Sequence, residues 1–408
     1  MKILFITDNF IPESNAPAAR TFEHASVWVE MGYMVTIITC APNYPSGKVF
    51  DGFSNRLYSK EMVHGIEVIR VWSFITANKG FLLRILDFLS FMISSFIAGI
   101  FINQKPTHVI GTSPQFFTLI SAYLVAKLKR ASFVAEIRDL WPESIKALGI
   151  LQNRLIFKTL VLTEEFLYKK SDKIVVVTDS FKKDLVSRSI DPNKIIVIKN
   201  SVNSNLFKPM NKDYDLVNKL RLRKKFVVGY IGTLGESQGL EVVCQSARIF
   251  KKMNIENISI IIVGDGSDRS NLEQYIKKHR LLNIKIVPRV SRNDVARYMS
   301  LLDIAIVHLR DLPEFRKVIP SKIFELFAMG IPILYGLDGE ADEIIEKAGG
   351  GVKFIQSSSN DLARKMIQLQ KNIDLRTELS RKGLAASSYY SRKDCAISMI
   401  NFISEKLK

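Results

Sequence analysis

The chain has 408 residues, of which 47% are hydrophobic and 24% charged, and a formal net charge of +18 at pH 7. That length exceeds one ordinary hydrophobic core, so two domains are expected. The balanced composition, without low-complexity tracts or 20-to-50-residue repeats, excludes a disordered, fibrous or solenoid chain. Cys40, Cys244 and Cys395 are scattered, give neither a disulfide framework nor metal-ligand spacing, and fit a reducing cytosol. The basic charge suits polyanions or an anionic membrane surface. It is shared by both halves and comes with no zinc-finger, RRM-like or helix-turn-helix signature, so nucleic acid is not an expected partner.

The first residues, Met1 to Asp8, read as a strand running into a turn and not as a signal peptide, which points to a cytoplasmic protein. Residues 2–8, 35–40, 67–71, 107–113, 132–139, 173–179 and 194–200 read as strands alternating with helical stretches. Several are almost wholly apolar, as parallel strands buried on both faces should be. The pattern returns at 226–233, 258–266, 284–290, 304–310 and 332–336. The fold class is therefore α/β, with two doubly wound parallel-sheet, Rossmann-like domains facing a central cleft. The junction falls in a polar stretch near 205–222. Residues 1–207 form an N-terminal domain and 208–385 a C-terminal domain, with a last amphipathic helix at 386–408 expected to pack back on the first.

The loop after the first strand, Asp8 to Arg20, lacks the G-x-G-x-x-G of dinucleotide-binding domains, which argues against a dehydrogenase. Its small residues and Arg20 suit close approach of a substrate, and Asn15 and Arg20 are candidate acceptor-binding residues. The apolar segment 81–102 has an uncharged run, 88–102, of 15 residues, short of the ~20 that a spanning helix needs. Wound as a helix it places Arg84, Asp87, Ser90, Ser94 and Ser95 on one side. Two readings stay open: an interfacial helix making peripheral membrane contact, or a core helix of the first domain.

Glu136, Arg138 and Asp139 end a strand, where three ionisable groups would be costly to bury without work to do. They are candidate catalytic residues, and a strand-end salt bridge is the alternative. His24 reads as structural and His308, near Arg310, as a weaker candidate. The single D-x-D, Asp213-Tyr214-Asp215, lies in the polar junction and reads as solvated linker, so no metal and no cofactor is expected. Further on, Pro320 and Ser321 open a short helix that Ala328-Met329-Gly330 closes. Ser321 is expected to cap the helix N-terminus, Lys322 to add charge where anions are favoured, and Glu325, one turn on, to accept hydrogen bonds from ribose hydroxyls. The alternative is a solvated Lys and Glu on an ordinary helix.

Several of these motifs together resemble the retaining glycosyltransferases of family four, with GT-B architecture. Lys194-Ile195-Ile196-Val197-Ile198-Lys199-Asn200-Ser201-Val202-Asn203 followed by Phe207-Lys208-Pro209 is similar to the family's interdomain segment. Ile262-Val263-Gly264-Asp265-Gly266 resembles one of its strand ends, and 320–333 its nucleotide-gripping helix, with Glu325 where the family's second Glu binds ribose. Arg138-Asp139-Leu140-Trp141-Pro142-Glu143-Ser144 and Gly232-Thr233-Leu234-Gly235-Glu236-Ser237-Gln238-Gly239-Leu240 resemble the subgroup that builds bacterial surface polysaccharides, including N-acetyl-fucosamine transferases. The chain departs from the pattern at Arg138, where many members carry His, and at Thr233 and Gln238, which replace the Arg and Lys that hold the diphosphate. Lys317 replaces the first Glu of the E-x7-E pair, and Ser201 a Gly. Arg289, Arg310, Arg316, Lys317 and Lys322 are then the cations available for the diphosphate.

The resemblance implies a nucleotide-sugar site made of Gly232, Gly235, Gly264, Asp265, Arg289, Val290, Arg316, Lys317, Ser321, Lys322 and Glu325. It implies a metal-independent hexosyltransferase that takes a UDP-sugar donor, with N-acetyl-fucosamine or a related N-acetylated hexosamine as the sugar. The acceptor would be a polyprenyl-diphosphate-linked saccharide of O-antigen or capsule synthesis at the inner face of the cell membrane. A nucleotide-sugar epimerase of the same fold and a non-enzymatic two-lobed sugar-binding protein are the alternatives.

Overall fold

The computed structural model describes residues 1–405 apart from 45, 77–80, 114, 144, 145 and 147–152; Ser144 of the Arg138 motif thus lies outside the described residues. The chain forms two compact units, one of Met1–Lys199 with Arg392–Lys408 and the other of Asn200–Ser391. The first boundary precedes the expected 207–208 junction because Val202 and Phe207 are buried in the second unit's core beside Leu216 and Leu222. The later break falls at Ser391 and not at 385–386, since Tyr390 still packs on Phe324 of the second unit. The helix Arg392–Ser404 belongs to the first unit, packed against α1 (Ala16–Glu30). There Trp28 Nε1 donates to the Ala396 carbonyl at 2.8 Å, and Arg392 pairs with Glu23 at 2.8 Å.

The first unit carries β1 (Lys2–Ile6), β2 (Met34–Cys40), β3 (Tyr58–Val63), β4 (Ile66–Val71), β5 (His108–Thr112), β6 (Ser132–Ile137), β7 (Lys173–Val176) and β8 (Ile195–Val197). They form one sheet in the order β3-β4-β2-β1-β5-β6-β7-β8, parallel except for β3 against β4. β3 is not among the strands read from sequence, because Tyr58-Ser59-Lys60-Glu61-Met62-Val63 has almost no buried side chain and lies on an edge. Its turn is also disguised: His64 and Gly65 take φ of 49° and 78°, the left-handed pair of a two-residue hairpin turn that Asn-Gly usually supplies.

The second unit carries β9 (Phe226–Ile231), β10 (Ile258–Val263), β11 (Ile284–Val287), β12 (Ile304–His308), β13 (Ile333–Gly336) and β14 (Gly351–Lys353). The order β11-β10-β9-β12-β13-β14 is all parallel and is that of the doubly wound nucleotide-binding fold, with the chain direction of winding reversed between β9 and β12. β14, with three residues, was too short to read from the sequence pattern.

Segment 81–102 folds as a single 21-residue helix, α2 (Phe81–Phe101). The expectation that it is too short to span is corrected here: Leu83–Phe101, with a mean hydropathy of 1.7, is long and apolar enough to cross a membrane by length and composition. Arg84 and Asp87 lie within the helix and do not interrupt it. One face of α2 packs on α3 (Phe117–Lys129), where the Ser95 and Ser121 hydroxyls are 2.9 Å apart and a Cβ on Gly99 would meet Val125 Cγ2 at 2.6 Å. Phe91 and Ala98 are buried on this face. The other face, with Leu83, Leu86, Ile93, Ile97 and Phe101, is between 43% and 77% exposed. The helix is thus both a core element and an exposed apolar stripe.

Candidate functional site

In open α/β sheets, ligands bind at the carboxyl ends of strands where the strand order reverses, which in the second unit is the end of β9 and β12. Val263 O accepts from Gly232 N at 2.9 Å and Asp265 O from Leu234 N at 2.9 Å, so the chain segments leaving β9 and β10 run side by side. A Cβ on Gly264 would lie 1.8 Å from the Gly232 carbonyl oxygen, so only glycine permits this approach. Above them stands Lys322, from the helix Lys322–Ala328. Its Nζ is 3.6 Å from the centroid of the Tyr230 ring, and a Cβ on Gly232 would come within 2.7 Å of it. Burial pushes the Lys322 ammonium down to about 7, against the opposing charge of Glu325. Among the described residues no carboxylate lies within ion-pair distance of it. A cation held against an aromatic face over a glycine at the switch point has its charge available to an anionic oxygen.

Glu325 is half-buried one turn along and faces Arg292 Nη1 at 3.5 Å; the Arg292 guanidinium in turn sits over the Phe207 ring. Arg292 was not among the sequence candidates. Its signal was Ser291, which caps the helix Arg292–Met299 and so puts Arg292 at its first position, after Arg289 and Val290. Ser321 does not cap its helix as expected. Its φ and ψ of −59° and −28° are already helical, and a true cap needs extended geometry to turn its side chain back on the amides.

The remaining cations are engaged elsewhere. Arg310 pairs with Glu241 at 3.2 Å and Arg316 with Asp311 at 3.0 Å. Lys317 ends the short 3-10 turn Pro313–Lys317. Asp265 accepts from Gly266 N at 2.9 Å and pairs with Arg269 at 3.2 Å, shaping its own loop. Gln238, where the resemblance would place a cation, folds back so that its Oε1 accepts from Gly235 N at 3.0 Å. His308 bridges the Gln238 and Gln356 carbonyls at 2.7 and 2.8 Å, stacked on Phe354, which makes it a brace for this loop. Asp213 caps the helix Tyr214–Lys219 and pairs with Arg297 at 2.9 Å.

At the strand ends of the first unit, Glu136 and Arg20 are each 1% exposed and form an ion pair at 2.9 Å. Glu136 also accepts from Thr112 Oγ1 at 2.8 Å, while the Arg20 guanidinium donates to the carbonyls of Ile198 and Lys199 at 3.1 and 3.2 Å. Burial alone would raise the Glu136 carboxyl; the charges of Arg20 and Arg138 and the two side-chain hydrogen bonds outweigh it and hold it below the ordinary carboxylate range. Glu136 and Arg20 thus tie β6 to the residues that follow β8. Asn15 is likewise taken up: its Oδ1 accepts from Ala18 N at 2.9 Å as the α1 cap, and its Nδ2 donates to Asn9 and Glu13. Removing one partner of a buried pair strands the other charge, so Glu136→Ala is expected to lower unfolding free energy by about 3–5 kcal/mol, measured by urea denaturation.

Arg138 is different. Among the described residues its Nε and Nη1 are buried without a hydrogen-bond partner. Burial brings its pKa down to about 9, partly offset by Glu136, with Arg20 and Arg392 adding repulsion. Its backbone and that of Asp139 are fixed by the Ser113 hydroxyl, which accepts from the two amides at 2.8 and 3.2 Å. Orphaned guanidinium N–H groups at a strand end leave room for an oxyanion or sugar oxygen. Two further carboxyls lie at this end: burial raises Asp8, and burial with the Asp8 charge takes Asp87 up to about 7. Among the described residues no group of three or more His, Cys, Asp or Glu side chains is gathered as a metal site.

The chain is similar to known proteins in sequence and in fold. The family description "Glycosyltransferase Family 4" matches residues 18–206, and "Glycosyl transferases group 1" matches 214–385. The putative colanic acid biosynthesis glycosyl transferase WcaI of Escherichia coli K12 is 27% identical over 81% of this chain and 82% of its own. The Escherichia coli UDP-Gal:alpha-D-GlcNAc-diphosphoundecaprenol alpha-1,3-galactosyltransferase is 25% identical over 44% of this chain and 46% of its own. Among solved structures, Anabaena Alr3699/HepE in complex with UDP and glucose superposes with a TM-score of 0.74 at 15% identity, covering 99% of both chains. The two family matches do not overlap and together run through most of both units, and the chain belongs to the family-four glycosyltransferases, with the GT-B fold.

Proposed function

We propose that the protein is a retaining glycosyltransferase of surface-polysaccharide synthesis that uses a UDP-sugar. The sugar is an N-acetylated hexosamine such as N-acetyl-fucosamine, and the acceptor is a polyprenyl-diphosphate-linked saccharide at the inner face of the cell membrane. The observation that carries the donor reading is Lys322, whose ammonium is held against Tyr230 over Gly232 without an ion-pair partner among the described residues. Glycosyl transfer needs the departing diphosphate stabilised, and a preorganised cation in a partly desolvated site supplies that charge at no reorganisation cost. Glu325 takes the ribose hydroxyls, and the orphaned Arg138 N–H groups hold an oxygen of the donor sugar or departing phosphate, with Asp139 orienting the sugar. The UDP held by the Anabaena structure and the undecaprenol-linked substrate named for the Escherichia coli galactosyltransferase support these classes.

The test is transfer from a panel of UDP-sugars to a short-chain polyprenyl-diphosphate saccharide in EDTA, with the anomeric configuration of the product read by NMR. Turnover to an α-linked product from an α-linked donor supports the reading. Release of a free epimerised sugar nucleotide without acceptor, or dependence on added Mg²⁺ or Mn²⁺, would reverse it. Within this reading, Glu325→Ala is expected to weaken UDP binding by about 1–3 kcal/mol, the cost of unpairing a charged hydrogen bond. Calorimetry showing unchanged affinity in the folded variant removes Glu325 from the ribose site.

A further inference from the structure

The second unit has a cavity of about 400 Å³ at the opposite end of its sheet, where β9, β10 and β11 begin, away from Gly232 and Lys322. Its wall holds Arg221, Lys225, Lys251, Arg280 and Lys285 against a single acid, Glu256. The ordinary explanation of such a cluster is that cations cap helix C-termini, whose carbonyls carry negative partial charge. Two of the five, Lys251 and Lys285, do this, and Lys225 instead meets a loop carbonyl. Lys225 Nζ donates to the Glu256 carbonyl at 2.6 Å, Lys251 Nζ to the carbonyls of His279 and Arg280 at 2.9 and 3.2 Å, and Lys285 Nζ to the carbonyl of Leu220.

The two arginines are not accounted for in that way. Among the described residues neither the Arg221 nor the Arg280 guanidinium has a carboxylate within ion-pair distance. Both sit just past a helix end in the left-handed region, with φ of 55° and 49°, a place where Gly or Asn is ordinarily favoured. The result is two surplus guanidiniums in a concave surface that already contains three ammonium groups. Burial and the Arg221 charge hold the Lys285 ammonium below the ordinary lysine range, as expected where like charges face each other. Among the described residues the Asn283 Oδ1, also in the cavity wall, is buried without a hydrogen-bond partner.

We propose that this cavity is a second anion site, taking a phosphate-bearing ligand through Arg221 and Arg280, separate from the donor site at the other end of the sheet. A planar guanidinium binds phosphate oxygens two at a time; two of them around one cavity match the charge of a diphosphate, and either alone balances a phosphodiester. The phosphate has two possible sources, a soluble anion or the headgroup of an anionic lipid. Leu282, which lines the cavity and is 92% exposed, gives the rim an apolar tip that a lipid surface would cover.

The test measures inorganic pyrophosphate binding by calorimetry to the full chain carrying Lys322→Ala, so that the donor-site cation does not contribute. It is repeated with Arg221→Asn and Arg280→Asn added. Asn tolerates the left-handed backbone, and equal melting temperatures without ligand confirm that the fold survives. At least a tenfold loss of pyrophosphate affinity in the added variants supports the site. In parallel, wild-type and Arg221→Asn/Arg280→Asn proteins are sedimented with phosphatidylglycerol and phosphatidylcholine vesicles. Loss of phosphatidylglycerol binding assigns the phosphate to a lipid headgroup, and loss of pyrophosphate binding alone assigns it to a soluble anion. Unchanged behaviour towards both probes overturns the proposal, as does a wild-type chain that binds neither.

Discussion

Lys322→Ala is expected to weaken UDP binding by about 10- to 100-fold, corresponding to roughly 1.5–3 kcal/mol for a hydrogen bond to a charged group. The effect should also depend on pH in a way that identifies the residue. Burial holds the free ammonium to about 7, opposed by Glu325, so above neutrality the empty site is increasingly uncharged. A bound diphosphate favours the cation and raises its pKa. Affinity should therefore fall as pH rises from about 7, by up to tenfold per unit, until the pKa of the bound state is reached. Binding at pH 8 should take up close to one proton, read as a dependence of the calorimetric heat on buffer ionisation enthalpy, and Lys322→Ala should abolish this uptake. A flat profile in the wild type would remove Lys322 from the phosphate site. Stability carries the opposite sign to ligand binding. The unfolded chain keeps a lysine near the ordinary value of about 10.4, so it binds more protons than the folded one between about pH 7 and that value, and stability rises with pH across that window.

Why Lys322 was legible in the sequence while its setting was not follows from what a sequence pattern encodes. Parallel strands buried on both faces, such as Ile258–Val263, announce themselves as apolar runs, and their order of occurrence implies the doubly wound sheet. The edge strand Tyr58–Val63 does not, because none of its side chains is buried and it therefore carries no apolar run. A Lys next to a helix start is likewise visible, but its stacking on Tyr230 depends on β9 and the Lys322–Ala328 helix meeting across the sheet, which local periodicity does not state. The charged strand end shows the reverse failure. Glu136, Arg138 and Asp139 look alike in sequence, yet Arg20, more than a hundred positions earlier, neutralises Glu136 and leaves Arg138 with unmatched N–H groups. Arg292 escaped notice because its value lies in contact with Phe207 and Glu325.

The same distinction between sequence pattern and packing decides how α2 should be probed. Phe88, Phe91 and Phe96 are the aromatic residues that attract attention in the sequence, but Phe91 is 1% exposed and the other two pack against the same core. Phe91→Ser should therefore cost roughly 3–5 kcal/mol of stability by opening a cavity, and would say nothing about membranes. The informative set is Leu86, Ile93, Ile97 and Phe101, all about half or more exposed. Each gains about 1 kcal/mol if a lipid interface covers the surface left bare, at roughly 25 cal/mol per Å². Changing all four to Ser should reduce partitioning onto anionic vesicles by about two to three orders of magnitude, while the melting temperature and UDP affinity stay near wild type. Leu128, exposed on the neighbouring α3, lies between Lys127 and Lys129, which gives the same region both apolar and basic character. Salt should accordingly weaken binding but not abolish it. Because α2 is long enough to span, extraction distinguishes the two modes. Release of folded protein by alkaline carbonate fits a helix lying in the interface with Phe91 and Ala98 still packed on the first unit. Retention in the membrane pellet would mean that α2 leaves that core to cross the bilayer, and the interfacial reading would then fail.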